Sequence, residues 1–127
     1  MTDGRPNQPK DLHWIGSSRK DLKAFPETVQ DDFGHELRGV QLGGMPRCAK
    51  VLKGFGAADV LELVDDHDSD TYRAVYTVRF RRAIYVLHAF KKKSRHGVKT
   101  PEKDLALVKS RLRTAAEDYA GRYRDER

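Results

Sequence analysis

Residues 60–90 read VLELVDDHDSDTYRAVYTVRFRRAIYVLHAF, and this stretch predicts the sheet of the protein. Residues 60–64 form an apolar strand, and the acidic run that follows predicts a hairpin turn. That run resembles a calcium loop only superficially, because it lacks the glycine and the glutamate that such a loop needs. Residues 71–80 alternate in polarity, and residues 83–90 are apolar on both faces, as in a central strand. A three-stranded antiparallel meander follows from this pattern.

The segment before the meander predicts a short strand and two helices. Residues 12–15 form the strand, and Ser18 with Asp21 three residues later resembles a helix capping box. Pro26 suits the first position of the second helix, whose apolar stripe consists of Val29, Phe33, Leu37 and Val40. We expect two antiparallel helices within residues 18–42.

Residues 43–58 contain four glycines and a proline and are predicted to be a loop. A last helix follows the meander, with Thr100 as its cap and Pro101 at its start. Its apolar stripe consists of Leu105, Val108, Leu112, Ala115 and Tyr119. The predicted class is α+β, in the order β-α-α-β-β-β-α, with a small antiparallel sheet flanked by two N-terminal helices and one C-terminal helix.

The chain has 127 residues, a length that suits one domain. Its formal net charge is +6. We expect a flexible N-terminal arm over residues 1–10 and a single domain over residues 11–127. Cys48 is the only cysteine, so neither an internal disulfide nor a cysteine zinc cluster can form. With no apolar leader and no membrane-length run, the sequence favours a cytoplasmic protein.

The positive charge is concentrated in the second half of the chain. Residues 71–101 contain nine Lys and Arg residues and no Asp or Glu. Such a surface meets an anion, and a polyphosphate backbone is the commonest partner of this kind. A solvated basic surface without a partner is compatible with the same excess of charge.

Strand alternation predicts a charged pair on one face of the sheet. Tyr72 is predicted to face the core, so Arg73, the next residue, points to the other face of the sheet. If Leu61 and Leu63 are core residues, Glu62 lies on the same face as Arg73. Both charged side chains are expected on an open face, together with Arg79. The carboxylate would hold the guanidinium in one orientation, although an ordinary cross-strand ion pair is an equal alternative.

The exit of the last strand carries a run of cations, KKKSRH, at residues 91–96. These side chains could neutralise a phosphate and supply a proton donor, and a solvated loop is compatible with the same composition. His88 lies among apolar residues and is predicted to be a core histidine. Cys48 is predicted to be structural, and the scattered histidines show no metal-site spacing.

Three segments resemble a known family. They are YRAVY at residues 72–76, IYVLHAFKKKS at residues 84–94, and Thr100-Pro101 followed by a helix that contains Arg111. Over about residues 11–120 the chain resembles the phage-derived HigB-like toxins of the RelE/ParE superfamily, which belong to type II toxin–antitoxin systems. The resemblance implies a RelE-like fold, in agreement with the element order above.

The resemblance also implies an activity. These toxins cleave mRNA, usually on the ribosome and without a metal or other cofactor, through a 2′,3′-cyclic phosphate. The catalytic residues that it implies are Arg73, Lys92, Lys93, His96 and Glu62, with His96 as a substitute acid or base. The predicted RNA-binding residues are Lys50, Lys53, Arg79, Lys91 and Arg95. Val64 stands where the family often has an arginine, so the resemblance does not extend to one phosphate contact of the family.

Two other functions fit the same fold: a ParE-like poison of DNA gyrase, and a non-enzymatic phage accessory protein that binds nucleic acid or protein. The lysine cluster favours RNA over gyrase. The expected partners are mRNA, the ribosome and a helix-turn-helix antitoxin of the HigA type, with no membrane. We also expect Arg73→Ala to remove growth inhibition and to leave the fold intact.

Overall fold

The structure is a computed structural model that describes residues 8–92 and 99–125. In chain order its elements are strand β1 (Asp11–Trp14), helices α1 (Ser18–Lys23) and α2 (Glu27–Gln41), strands β2 (Ala49–Val51), β3 (Val60–His67), β4 (Asp70–Thr77) and β5 (Ala83–Lys92), and helix α3 (Glu102–Arg122). The strands form one sheet in the order β1-β5-β4-β3-β2. The predicted α+β class, with two N-terminal helices and one C-terminal helix, is confirmed.

The predicted three-stranded antiparallel meander is confirmed in β3, β4 and β5, but the whole sheet is mixed rather than antiparallel. β1 runs parallel to β5, with Leu12 opposite Ile84, whereas the other three pairings are antiparallel. The prediction of a loop over residues 43–58 is also wrong, because β2 lies within it and pairs with β3. Three residues are too few to show the alternation by which a strand is recognised.

The turn between β3 and β4 confirms the predicted hairpin. Asp68 and Ser69 form its tip, with φ angles of 50° and 71°. Two left-handed residues are typical of a two-residue turn whose twist matches that of the flanking strands. The ladder continues to the pair His67 and Asp70, so β3 extends three residues beyond its predicted end.

The sheet separates two apolar cores. The first lies against α1 and α2 and contains the predicted stripe of α2 together with alternate residues of the meander: Leu61, Leu63, Tyr72, Ala74, Tyr76, Ile84 and Val86. The second lies against α3 and contains Val108, Ala115, Val60, Val75, Tyr85 and Leu87. Both faces of the meander are therefore covered, as the apolar pattern of residues 83–90 predicts for β5.

β5 carries a β-bulge at Leu87. Val75 lies opposite His88, and the next residue, Tyr76, lies opposite Val86, so Leu87 has no partner in this pairing. An extra residue of this kind reverses the faces of all residues that follow it in the strand.

The bulge decides which lysine at the end of β5 faces α3. Leu87 belongs to the α3 core, and the next residue, His88, also faces α3, since it contacts Asp104. Lys92 therefore lies on the α3 side, and Lys91 lies on the opposite side beside Phe25.

The predicted capping box at Ser18 is wrong. Ser17 is the N-cap of α1, and the Ser18 hydroxyl is buried and donates to the carbonyl oxygen of Val86 at 3.1 Å. This bond joins the start of α1 to β5, which explains why a serine is accommodated in the interior.

Most of the predicted N-terminal arm, residues 1–7, lies outside the described residues. The backbone N–H of Lys10 donates to the carbonyl of Gln41 at 2.9 Å. The boundaries of a single domain over residues 11–127 stay a prediction. Among the described residues, no helix is both long enough and apolar enough to cross a membrane.

Candidate active site

Glu62 of β3 and Arg73 of β4 form a buried ion pair. The Arg73 Nη1 donates to Glu62 Oε1 at 3.0 Å, and the two residues are 2% and 3% exposed. Their strands are neighbours, and Arg73 lies opposite Val64, two residues along from Glu62. The predicted pairing of the two side chains is present, and the carboxylate orients the guanidinium.

Thr100 completes this network. Its hydroxyl donates to Glu62 Oε2 at 3.0 Å and lies 3.5 Å from Arg73 Nη1, from which it accepts. The prediction that Thr100 caps α3 is wrong, because Pro101 is the N-cap and no side chain caps this end. Both carboxylate oxygens of Glu62 are engaged, so the buried charge is compensated on each side.

The prediction that Arg73 and Glu62 lie on an open face is wrong. Alternation assigns both to the correct face of the sheet, but α3 packs on that face and the Thr100 segment contacts the pair. The face is therefore interior at this point, and Arg73 lies beneath the protein surface.

A groove of about 570 Å³ lies next to the ion pair. Its cations are Lys50, Lys53, Arg73, Lys92 and Lys99, and its carboxylates are Glu62 and Glu102. The excess of cations makes this groove suited to an anion. Lys92 Nζ donates to the carbonyl oxygen of Lys99, which ties the end of β5 to the segment that leads into α3.

The groove brings together five of the ten residues predicted to act on RNA: Arg73, Glu62, Lys92, Lys50 and Lys53. Lys93, Arg95 and His96 lie outside the described residues. The other two, Arg79 and Lys91, do not line the groove.

Arg79 is held by Asp59. Arg79 Nε and Nη2 donate to the two carboxylate oxygens at 3.0 and 3.1 Å, and this hydrogen bonding lowers the pKa of Asp59. Lys91 lies 3.7 Å from Asp70 on the other face of β5. Arg79 and Lys91 are therefore peripheral to the groove.

A second buried pair holds the start of α3. His88 Nε2 lies 2.7 Å from Asp104 Oδ1, and the imidazole stacks on Phe90 with centroids 4.7 Å apart. The predicted core position of His88 is confirmed. Asp104 lies in the first turn of α3, so this contact anchors the helix four residues after Thr100.

Comparison with known protein families identifies the chain. The family described as "Phage derived protein Gp49-like (DUF891)" matches residues 20–113. The chain belongs to this family. The matched range contains Glu62, Arg73, Lys92 and Thr100, so the whole buried network lies within the Gp49-like region.

A solved structure shares part of this architecture. A chain of the toxin–antitoxin complex RelBE2 from Mycobacterium tuberculosis aligns with a TM-score of 0.46 at 16% identity, covering 68% of the Gp49-like chain and 94% of that chain. This likeness is too distant to assign an activity. No curated protein matches the sequence.

Cys48 of the Gp49-like chain, which the sequence predicts to be structural, is exposed. Its thiol lies 3.8 Å from Glu36 Oε2. Partial burial, and then the charge of Glu36, raises the pKa of Cys48. A thiol in this state is a poor nucleophile at neutral pH.

Sequence reasoning missed Lys99 as a groove residue and Thr100 as a partner of Glu62. Lys99 lies within the basic segment 71–101. The direction of its side chain depends on how the chain enters α3. Thr100 precedes a proline at a helix start, where a capping role is the ordinary expectation. The backbone geometry of that segment, rather than its residue types, directs the hydroxyl to Glu62.

Proposed function

We propose that this Gp49-like chain is a HigB-like toxin of a type II toxin–antitoxin system. It acts as a metal-free endoribonuclease that cleaves mRNA on the ribosome. One observation carries this proposal: a groove of about 570 Å³ with an excess of cations is lined by both members of the Arg73–Glu62 pair. Membership in a phage-derived family is compatible with it.

The chemistry requires a cationic site. The 2′-hydroxyl of one nucleotide attacks the adjacent phosphorus, and the bond from phosphorus to the 5′-oxygen breaks. The products are a 2′,3′-cyclic phosphate and a 5′-hydroxyl. Negative charge accumulates on the phosphorane oxygens, and preorganised cations stabilise it.

The described groove residues divide into two roles. Lys92, Lys50 and Lys53 lie at the groove surface and contact phosphates. Arg73 lines the groove beneath the surface, and Glu62 fixes the orientation of its guanidinium. Glu62 is an orienting group, because one of its carboxylate oxygens accepts a hydrogen bond from Arg73 and the other accepts one from Thr100.

Two residues of the proposed site lie outside the described part of the chain. We assign His96 as acid or base and Lys93 as a further phosphate contact, on the basis of the resemblance. The expected inhibitor is a helix-turn-helix antitoxin of the HigA type. An acidic segment of this partner would cover the groove, since charge complementarity favours it.

The test is to map mRNA ends by primer extension after induction, with Lys92→Gln as the site variant and Lys109→Gln as its control. Lys109 is exposed on α3 and does not line the groove. Wild type and Lys109→Gln should produce new ends with a 5′-hydroxyl, and Lys92→Gln should reduce cleavage by about 10²-fold. Intact transcripts in growth-arrested cells would contradict the proposal. Purified protein with and without ribosomes then tests ribosome dependence.

A further inference from the structure

Helix α1 presents three cations on a surface separate from the groove. Arg19, Lys20 and Lys23 are exposed and line a shallow depression of about 620 Å³ with Gly16 and Ala24. Within residues 8–92 and 99–125, none of the three cations has a carboxylate partner. Together with Gly16 and Ala24, they form an open cationic surface, called the α1 surface.

Arg111 of α3 adds a fourth cation beneath this surface. Its guanidinium lies 2.8–2.9 Å from the position that a Cβ on Gly16 would occupy. Its Nη1 donates to the carbonyl oxygen of Leu87 at 3.0 Å, and its Nη2 donates to the Ser17 hydroxyl at 3.1 Å. Both acceptors are neutral, so these bonds orient the guanidinium without cancelling its charge.

The same helix also contains one carboxylate. Asp21 is the only acid on α1, and it accepts a hydrogen bond from the Ser17 hydroxyl at 2.7 Å. Asp21 lines the neighbouring cleft with Lys91 rather than the depression itself. The α1 surface therefore keeps a positive excess of about three charges, counted from these five side chains.

The α1 surface approaches the end of β5 at Lys91. Ala24 lines both the depression and the cleft that contains Lys91. The next residue of β5, Lys92, lines the groove on the other side of the sheet. Two consecutive residues at the end of β5 thus lie one in the groove and the other in the cleft next to the α1 surface.

We propose that Arg19, Lys20, Lys23 and Arg111 form a second phosphate-binding surface, which holds the RNA backbone outside the cleavage groove. This inference rests on the proposed function, because it extends the path of the same RNA. A protein partner fits less well: the apolar residues of this region, Leu22 and Phe25, are buried, so the surface offers no apolar anchor of the kind that protein interfaces use.

The test compares a short and a long RNA. Both carry 2′-O-methyl groups, so neither can be cleaved through its own 2′-hydroxyl. The short RNA is a trinucleotide that occupies the groove alone, and the long one has about 20 nucleotides, more than a compact single-strand site of 4–16 nucleotides covers. The variant is Arg19→Gln/Lys20→Gln/Lys23→Gln, and its matched control is Lys109→Gln/Arg113→Gln/Arg124→Gln, which removes the same charge from exposed positions on and beyond α3.

The α1 variant should bind the trinucleotide as wild type does and lose at least about tenfold in affinity for the long RNA. Its salt slope, log K against log salt, should become shallower by about 2, because each phosphate contact on a single strand contributes about 0.7. The control should keep most of the affinity and of the slope, and circular dichroism checks that both variants fold.

An α1 variant that binds the long RNA with the affinity and salt slope of wild type overturns this inference and leaves the groove untouched. If wild type binds neither RNA while Lys92→Gln changes nothing, the proposed function fails together with it. An α1 variant that keeps its RNA affinity but loses the antitoxin assigns the surface to a protein, which also overturns the inference.

Discussion

Breaking the Glu62–Arg73 pair is the most informative perturbation that the structure offers. Both residues are almost fully buried, so removing one partner leaves a charge in the interior. Such a change costs about 3–5 kcal/mol, out of a total stability of about 5–15 kcal/mol for a typical domain. Glu62→Leu or Arg73→Met alone should therefore lower Tm by roughly 10–20 °C.

The burial of Arg73 changes the meaning of the simplest experiment. From the sequence we expect Arg73→Ala to remove toxicity with the fold intact, but a buried ion pair makes that outcome physically inconsistent. Loss of toxicity in Arg73→Ala would therefore not distinguish an unfolded protein from a folded protein without a functional site. The variant that separates the two effects must remove the charges and keep the volume.

Replacing the whole network by apolar residues meets this requirement. Glu62→Leu and Arg73→Met together leave no unpaired charge, and such replacements are often neutral or stabilising by 1–4 kcal/mol. Thr100 would then lose the acceptor of its hydroxyl, at a cost of about 1–3 kcal/mol. Adding Thr100→Val removes that cost, so we expect the triple variant to be within about 2 kcal/mol of wild type.

Urea denaturation and RNA cleavage are measured on the two single variants and the triple variant. The expected result is that the singles are unstable, whereas the triple variant is stable and inactive. Two results would refute this reasoning. Single variants within about 0.5 kcal/mol of wild type would show that the pair is not a buried charge pair, and a triple variant that cleaves RNA at the wild-type rate would exclude Arg73 from the site.

Three further predictions concern stability. Burial and the neighbouring Asp32 raise the pKa of Asp65 from its usual 3.8 to about 6. The folded protein therefore loses stability as pH rises from 4 to 7, because ionised Asp65 is disfavoured in the folded state. In urea denaturation, Asp65→Asn should become progressively more stable than wild type over this range. Thr100→Val alone should cost about 1–3 kcal/mol, with Thr100→Ser as the control that keeps the hydroxyl. Gly16→Ala should cost about 1–3 kcal/mol in thermal denaturation, because Gly16 has φ +57° and the new Cβ would press on Arg111; an unchanged Tm would contradict this.

Local periodicity carried the correct part of the site prediction. Alternation along β3 and β4 places Leu61 and Leu63 in one core and Glu62 with Arg73 on the other face, as the structure has them. The apolar stripe of α2 is likewise buried, and in the stripe of α3 Val108 and Ala115 are buried while Leu105, Leu112 and Tyr119 are partly buried. These features depend only on the repeat of each element, which any short window of sequence displays.

Tertiary packing decided what the sequence could not predict. The sequence pattern of β4 does not indicate whether its charged face is exposed to solvent or covered by a helix. In the structure, α3 covers this face. The direction of β1 depends on the long connection that separates β1 from β5 in the chain, since a parallel pair requires a crossover. The hydroxyl of Thr100 donates a hydrogen bond to Glu62, 38 residues away in sequence, because both residues lie where α3 approaches the sheet.

The bulge at Leu87 is where local pattern and tertiary structure meet. Before it, β5 is apolar on both faces, so the sequence contains no alternation from which an extra residue could be detected. Without the bulge, Lys91 would face α3 and Lys92 would face α1. The Leu87 carbonyl accepts from Arg111, so one residue of α3 stabilises the bulge while its guanidinium lies beneath the α1 surface. The bulge thus determines which of two consecutive lysines faces the groove and which lies on the α1 side of the sheet.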